Sequence, residues 1–404
     1  MYQIPKPWIP MAIAAWAALQ AAHADADVVI DWNQRASEVI SEAKIGTPVA
    51  IRVMALVQTA VRDAVDATAG AKGGGKATVV DAAVAAASGR TLGTLLPARQ
   101  AQIDALVQNA LSAIGDSAAR DAGVAAGERA ATALLARRAA DDPAAAVAWR
   151  PHTSAGAYVP TAMPAIPQWS LRKPWLMNDA AQFRPGAPPA LDSTLWLREY
   201  EEVRLLGSKT SRQRTAEQTA AAEFWAFSLP SIYYGVVRSV AAQPGRDLRR
   251  NARLYAAASQ AMDDAMISAF EAKYHYNFWR PVTAIRNGDL DGHAETQRDA
   301  GWVSLIEAPL HPEYPSGHSI LAASVAAVLK ADIGGGRTPT LSTSSPSAQG
   351  AVRRWGRVDD FVQEVSDARI WAGIHFRAAT RAGEAMGRRI GELAAQRLLV
   401  EGSH

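Results

Sequence analysis

Apolar residues recur at three- and four-residue steps through most of the chain, against a background dominated by alanine. That step places them on one face of a helix, and alanine is the strongest helix former. Ile51 to Val57, continuing into Ala60 to Val65, shows the pattern clearly. From Asp31 to Asp141 one helix follows another, with segments over 77–95, 98–114 and 118–138. In the second half the spacing predicts helices over 193–206, 215–227, 231–242, 245–274, 316–333, 351–370 and 375–400. Residues 334–349 are rich in Gly, Ser, Thr and Pro and read as a mobile loop. Strand-like alternation is scarce. The expected architecture is all-α, made of helical bundles.

Two breaks organise the pattern. Gly70 to Gly75 interrupts the N-terminal helices but lacks the Gly-Lys-Ser/Thr order of a phosphate loop, so it reads as a turn. Over 142–192 prolines recur at 143, 151, 160, 164, 167, 174, 185, 188 and 189, with Trp149, Trp169 and Trp175 among them. This composition suits an ordered connector pinned by its tryptophans better than a flexible linker. The expected division is an N-terminal helical part 25–141, the connector 142–192 and a C-terminal helical part 193–404, all in one domain.

The first residues follow a different order. Lys6 precedes an apolar run from Trp8 to Leu19, then Ala22-His23-Ala24. This is the order of a secretory signal peptide, with cleavage expected after Ala24 and export to the periplasm or beyond. The run is too short for a membrane span, and no later segment offers one.

Composition narrows the chemistry. Of 404 residues, 49% are hydrophobic and 20% charged, which suits a globular protein. A formal charge of +3, with no Lys/Arg block interleaved with aromatics, argues against nucleic acid as a partner. The absence of cysteine excludes disulfides, thiolate nucleophiles and cysteine metal sites.

Three segments in the last third carry chemistry. The first runs from Lys273 to Pro281 (KYHYNFWRP). Lys273 and Arg280 are seven apart, which puts both on one face if the helix continues, and Pro281 ends it. The second is His311 to His318 (HPEYPSGH), where Ser316 stands at the N-cap position of an apolar helix. Backbone N–H groups and the helix dipole favour an anion there, Gly317 permits close approach, and His318 is placed to move a proton. The third is Ala368 to His375 (ARIWAGIH), where a break at Gly373 would bring Arg369 and His375 together.

In this order the segments resemble the superfamily that unites vanadium-dependent haloperoxidases with type 2 phosphatidic acid phosphatases and bacterial acid phosphatases. The strings from Lys273 to Arg286, His311 to His318 and Ala368 to Arg377 look like the haloperoxidase branch. So do Asp31–Asn33, Gln182 to Pro185, Leu206 to Ser208, Glu217-Gln218 and Phe224-Trp225. The resemblance implies two four-helix bundles and a vanadate cofactor, with phosphate able to take the same place. It implies that Lys273, Arg280 and Arg369 neutralise the oxyanion, and that Ser316 and the Gly317 N–H donate to it. His375 would bond vanadium and His318 would act as acid and base. The reactants would be hydrogen peroxide, halide and an organic acceptor. His311, five residues before Ser316, leans the halide toward bromide or iodide.

One position departs from the family pattern. The family commonly has an aspartate four residues after the last His, and here Ala379 stands in its place. Glu364, Asp367 and Glu384 are the substitutes this suggests. Two other functions share the residues: an exported acid phosphatase working through a phosphohistidine at His375, and a non-catalytic oxyanion-binding protein, which Ala379 favours.

Overall fold

The computed structural model describes residues 27–70, 76–115, 117–141 and 149–400. The expected leader, most of the glycine-rich break and the start of the connector lie outside them. The N-terminal part contains α1 (Val28–Glu42), α2 (Thr47–Ala67), α3 (Lys76–Leu95), α4 (Gln100–Ile114) and α5 (Ala118–Arg138). The C-terminal part contains α6 (Thr194–Leu206), α7 (Ala216–Phe224), α8 (Ser231–Ala241), α9 (Leu248–Tyr276) and α10 (Pro281–Arg286). It ends with α11 (Gly317–Ile333), α12 (Val358–Trp371) and α13 (Arg377–Ala395). Local chemistry sets the starts. Ser117, Ser193 and Asp247 each accept a backbone N–H as N-caps, and Thr215 with Gln218 closes a capping box on α7.

The 29 residues of α9 are buried along almost their whole length. A helix buried on all sides is central, and α9 packs on α2 of one bundle and on α11 and α13 of the other. Glycines bring helix backbones into contact in both bundles. A Cβ on Gly127 would sit 2.2 Å from the Ala83 carbonyl, and one on Gly387 would sit 2.2 Å from that of Ile320. Gly383 and Gly391 repeat the contact a turn either side, against Ser316 and Ser324. Only glycine fits this stripe, which seats α13 on the first turn of α11.

The region expected as a mobile loop is ordered. Leu341–Ser345 (β1) pairs antiparallel with Ala351–Trp355 (β2). Leu341, Thr343 and Ser345 turn inward, and β1 lies on α8, where the Gly235 backbone makes room for Thr343. The alternation was hidden because serines fill the outward positions. The strand also delays the next helix, which begins at Val358 rather than at 351. No single described helix is long and apolar enough to cross a membrane.

The connector is pinned to α9 by two adjacent buried aspartates. Asp264 accepts the backbone N–H groups of Trp175, Leu176 and Met177 at 2.7, 2.9 and 3.2 Å. Asp263 accepts from Trp175 Nε1 at 2.6 Å and from buried Arg52 at 2.7 Å. Arg52 also meets Asp141 at 2.5 Å, and Arg138 lies over the Trp175 ring at 4.1 Å. One network thus ties α2, the end of the N-terminal part, the connector and α9 together.

Replacing Asp263 by Ala leaves Arg52 with one carboxylate and Trp175 Nε1 with none. We expect a loss of about 3–5 kcal/mol, the range for breaking a buried ion pair. It is read as a lower denaturant midpoint at unchanged slope. Asp264 gives a pH signature. Burial pushes its carboxyl up to about 7 from the ordinary 3.8, against the pull of the three N–H bonds. A raised folded value means the folded chain holds this proton more tightly. The contribution is therefore complete below pH 3.8 and lost as pH rises through about 7. In Asp264→Asn the decline of melting temperature across that window should flatten; an identical decline would assign it to other groups.

Candidate active site

Four segments converge at the C-terminal end of α9. Lys273 lies in the last turn of that helix, which Asn277 ends in the left-handed region at φ 49°. Arg280 follows in extended backbone, φ −79° and ψ 155°, as the residue before Pro281 must. The two cations therefore do not share a helix face; the turn between them folds Arg280 back toward Lys273. Ser316 caps α11, its Oγ accepting the Ser319 N–H at 3.4 Å. Gly317 has open space where a Cβ would be. Arg369 comes from α12. His375 follows the break at Gly373, whose φ of 76° and contact with the Gly207 carbonyl both exclude a side chain.

Each cation is buried, and each is held by main-chain oxygens. Lys273 donates to the carbonyls of Pro312, Glu313 and Pro315 at 3.0, 2.9 and 2.5 Å. An ammonium has three N–H groups, so all of them grip the 312–315 loop and Lys273 acts on any anion through its charge. Arg280 Nε donates to the His311 carbonyl at 2.9 Å, and Nη1 to that of Ile374 at 2.8 Å. Its Nη2 donates to His311 Nδ1 at 2.9 Å, and Nη1 faces His375 Nε2 at 3.3 Å. Arg369 Nη1 donates to the Trp225 carbonyl, while Arg369 Nε has no partner.

The carboxylate absent at 379 is supplied from another segment. His375 Nδ1 lies 2.8 Å from Glu313 Oε1, which also accepts the Phe376 N–H at 2.9 Å. With Nδ1–H donating to Glu313, the lone pair of His375 is on Nε2, facing the cations. None of the three expected substitutes is used. Glu364 binds Trp225, Arg353 and Trp355; Asp367 binds Arg377 and Gln363; Glu384 lines an outer groove beside Lys330 and Arg388. Sequence reasoning missed Glu313, although a lone carboxylate inside the His311–His318 segment was the available signal.

The electrostatics point one way. Burial first, then the neighbouring cations, pushes Lys273 well below the ordinary lysine range. Burial lowers Arg280 and Arg369 to about 10 each. Burial raises Glu313 to about 8, in spite of Arg280. His311, His318 and His375 are held neutral by burial and by the surrounding positive charge. Three basic side chains thus surround a single acid, and a bound anion is what would let all three bases stay charged. His318 Nε2 is buried without a partner, like Arg369 Nε.

Residues 253–400 match the family described as the VCPO second helical-bundle domain. A vanadium chloroperoxidase of Curvularia inaequalis is 28% identical over 141 residues, which is 28% of this chain and 22% of that protein. This chain therefore aligns with less than a quarter of that relative's length. The structure of a bacterial vanadium-dependent iodoperoxidase superposes with a TM-score of 0.77 at 23% identity, covering 92% of this chain and 96% of that one. A holo-type bacterial vanadium-dependent chloroperoxidase gives 0.72 at 17% identity, over 88% and 93%. The resemblance and the all-α fold expected from the sequence are both borne out.

Ala379 is fully buried in an apolar cluster with Trp196, Phe278 and Phe376, and its carbonyl accepts the Ser316 N–H at 3.0 Å. Ala379→Asp therefore places a carboxylate among aromatic rings with His375 Nδ1 already engaged. We expect a loss of about 3–5 kcal/mol, the cost of an uncompensated buried charge. A melting temperature equal to the parent's would show that the cluster opens to accommodate it.

Proposed function

We propose that this chain, a relative of the vanadium-dependent haloperoxidases by its fold and its second bundle, is itself a vanadium-dependent haloperoxidase that oxidises bromide or iodide with hydrogen peroxide. The observation that carries the reading is the buried cluster of three basic side chains, one acid and a histidine whose Nδ1 is tied to that acid. The donor set fits vanadate. His375 Nε2 carries the lone pair a metal needs, Arg369 Nε and His318 Nε2 are buried without partners, and Gly317 leaves room at the helix start. Bound vanadate would supply a Lewis acid that activates peroxide toward halide attack.

The protein's own groups have distinct tasks in this reading. Glu313 fixes the ring and tautomer of His375. Lys273 holds the 312–315 loop and lends its charge to the oxyanion. Arg280 and Arg369 supply further charge, and Ser316 and the Gly317 N–H supply donors at the start of α11. His318, half-buried and neutral, gives or takes a proton at Nε2. His311 presents an imidazole rather than a wholly apolar ring beside Arg280, which supports the softer halides. The order of residues from Lys6 to Ala24 supports export of the mature chain.

His375→Ala should abolish tight vanadate binding measured by calorimetry on the vanadate-free protein. Glu313→Ala should weaken it about 10–100-fold, the usual effect of losing the partner that orients a ligating histidine. In turnover, wild type loaded with vanadate should oxidise iodide or bromide and release little phosphate from a phosphomonoester. The reverse pattern would make it a phosphatase. Unchanged vanadate affinity in His375→Ala would remove the assignment of the ligand.

A further inference from the structure

We infer that a groove formed by the Pro/Trp connector binds a neutral, hydroxylated aromatic molecule as the organic acceptor of the halogen. The inference rests on the haloperoxidase reading for its chemistry, and on the groove alone for its binding. The groove encloses about 440 Å³ and is lined by Trp149, Pro151, Pro160, Met163, Pro164, Ile166, Pro167 and Gln168. That volume suits one small molecule, and an apolar lining with few polar groups is the usual character of such sites. Met163, at 86% exposed, stands open at the rim.

Three observations choose the occupant. Trp149 offers an indole, itself packed edge-on to Tyr274 at 5.5 Å, so an aromatic ring finds a ring to meet. Among the described residues of the lining, Gln168 brings an amide side chain, whose Oε1 is buried and accepts no hydrogen bond. A turn of the Gln168 side chain would bring this unpaired carbonyl oxygen toward an occupant that carries an O–H or N–H. Among the described residues the lining has no charged side chain, so a neutral occupant is preferred over a carboxylate or an amine. Ile166 adds strain, being a β-branched residue held at φ 33°. Such residues persist where the surroundings fix them, and they gather at ligand sites.

The groove lies next to the cationic pocket. Tyr274 donates to the Ala165 carbonyl at 2.8 Å, and the Ala165 N–H donates to the Leu310 carbonyl at 2.7 Å. Leu310 precedes His311. A row of rings makes the same connection: Trp149 meets Tyr274, Tyr274 meets Phe270 at 6.2 Å, and Phe270 meets His311 at 5.4 Å. A phenol-class ring is also what an electrophilic halogen attacks. The ring carbon bonds to the halogen of hypohalous acid, the ring loses a proton, and the hypohalous oxygen leaves as water. The halide and peroxide consumed are those of the proposed reaction.

The test uses the full chain, with 2-naphthol and 2-methoxynaphthalene as probes. They share the ring system, and only the first has an O–H to donate. Calorimetry without vanadate should show 2-naphthol binding to wild type. Gln168→Leu should lower that affinity about tenfold and leave the affinity for 2-methoxynaphthalene as it was. Met163→Lys, at a surface position that the fold does not depend on, should weaken both at least tenfold. The KM for 2-naphthol in halogenation should rise in parallel. No binding to wild type, or affinities untouched by both substitutions, would overturn the inference. Binding with the expected pattern, but no iodide oxidation by vanadate-loaded wild type, would leave the groove supported and overturn the haloperoxidase reading instead.

Discussion

Positive charge buried without matching carboxylates is the constraint on which the rest of this structure depends. The same chain solves the burial of arginine in two ways. Arg52 is neutralised by Asp141 and Asp263, and its charge is cancelled where the two halves of the protein join. Lys273, Arg280 and Arg369 are instead held by backbone carbonyls through six hydrogen bonds, and among the described residues none of the three forms an ion pair with a carboxylate. Dipoles stabilise a cation and leave its net charge in place. The first arrangement is a fastening, and the second keeps a positive field available to a ligand.

That solution explains why the loop from His311 to Ser316 can be irregular and yet well defined. Its carbonyls at 311, 312, 313 and 315 all point at cations, its Ser316 N–H reaches Ala379, and its Glu313 side chain reaches across to His375. The loop is organised by its contacts with charge, not by internal regularity. Moving the orienting carboxylate from 379 into this loop has a structural consequence too. Position 379 becomes free to pack against Trp196 and Phe376, and the cluster beneath the site becomes wholly apolar there.

The helices and the break at Gly373 were legible because three- and four-residue spacing and a lone glycine between Arg369 and His375 are local signals. The N-cap at Ser316 was legible for the same reason. The hairpin was not, since β1 buries only Leu341, Thr343 and Ser345 and shows serine outward, a composition that reads as a loop. The partner of His375 was not legible either. Glu313 is 62 positions away along the chain, and only the tertiary fold brings Oε1 to Nδ1. The helix-face argument for Lys273 and Arg280 reached the right neighbourhood by the wrong route, because the left-handed turn at Asn277 intervenes.

Among the described residues the N-terminal bundle contributes none to the cationic site, yet it is coupled to it through α9. That helix carries Asp263 and Asp264, which fasten the connector and α2, and nine residues later it carries Lys273, which fastens the 312–315 loop. A rigid helix transmits position along its axis, at about 1.5 Å per residue. Any shift of α9 along that axis would move the ammonium relative to three carbonyls at once. On the opposite side, the Gly383, Gly387 and Gly391 stripe sets α13 against α11 with no side chains between, which fixes His375 relative to Ser316 and Gly317. The connector thus does more than join two bundles. Its backbone N–H groups hold the aspartates of α9, while its prolines and Trp149 form the groove beside His311, so one segment both steadies the charged site and shapes the surface next to it.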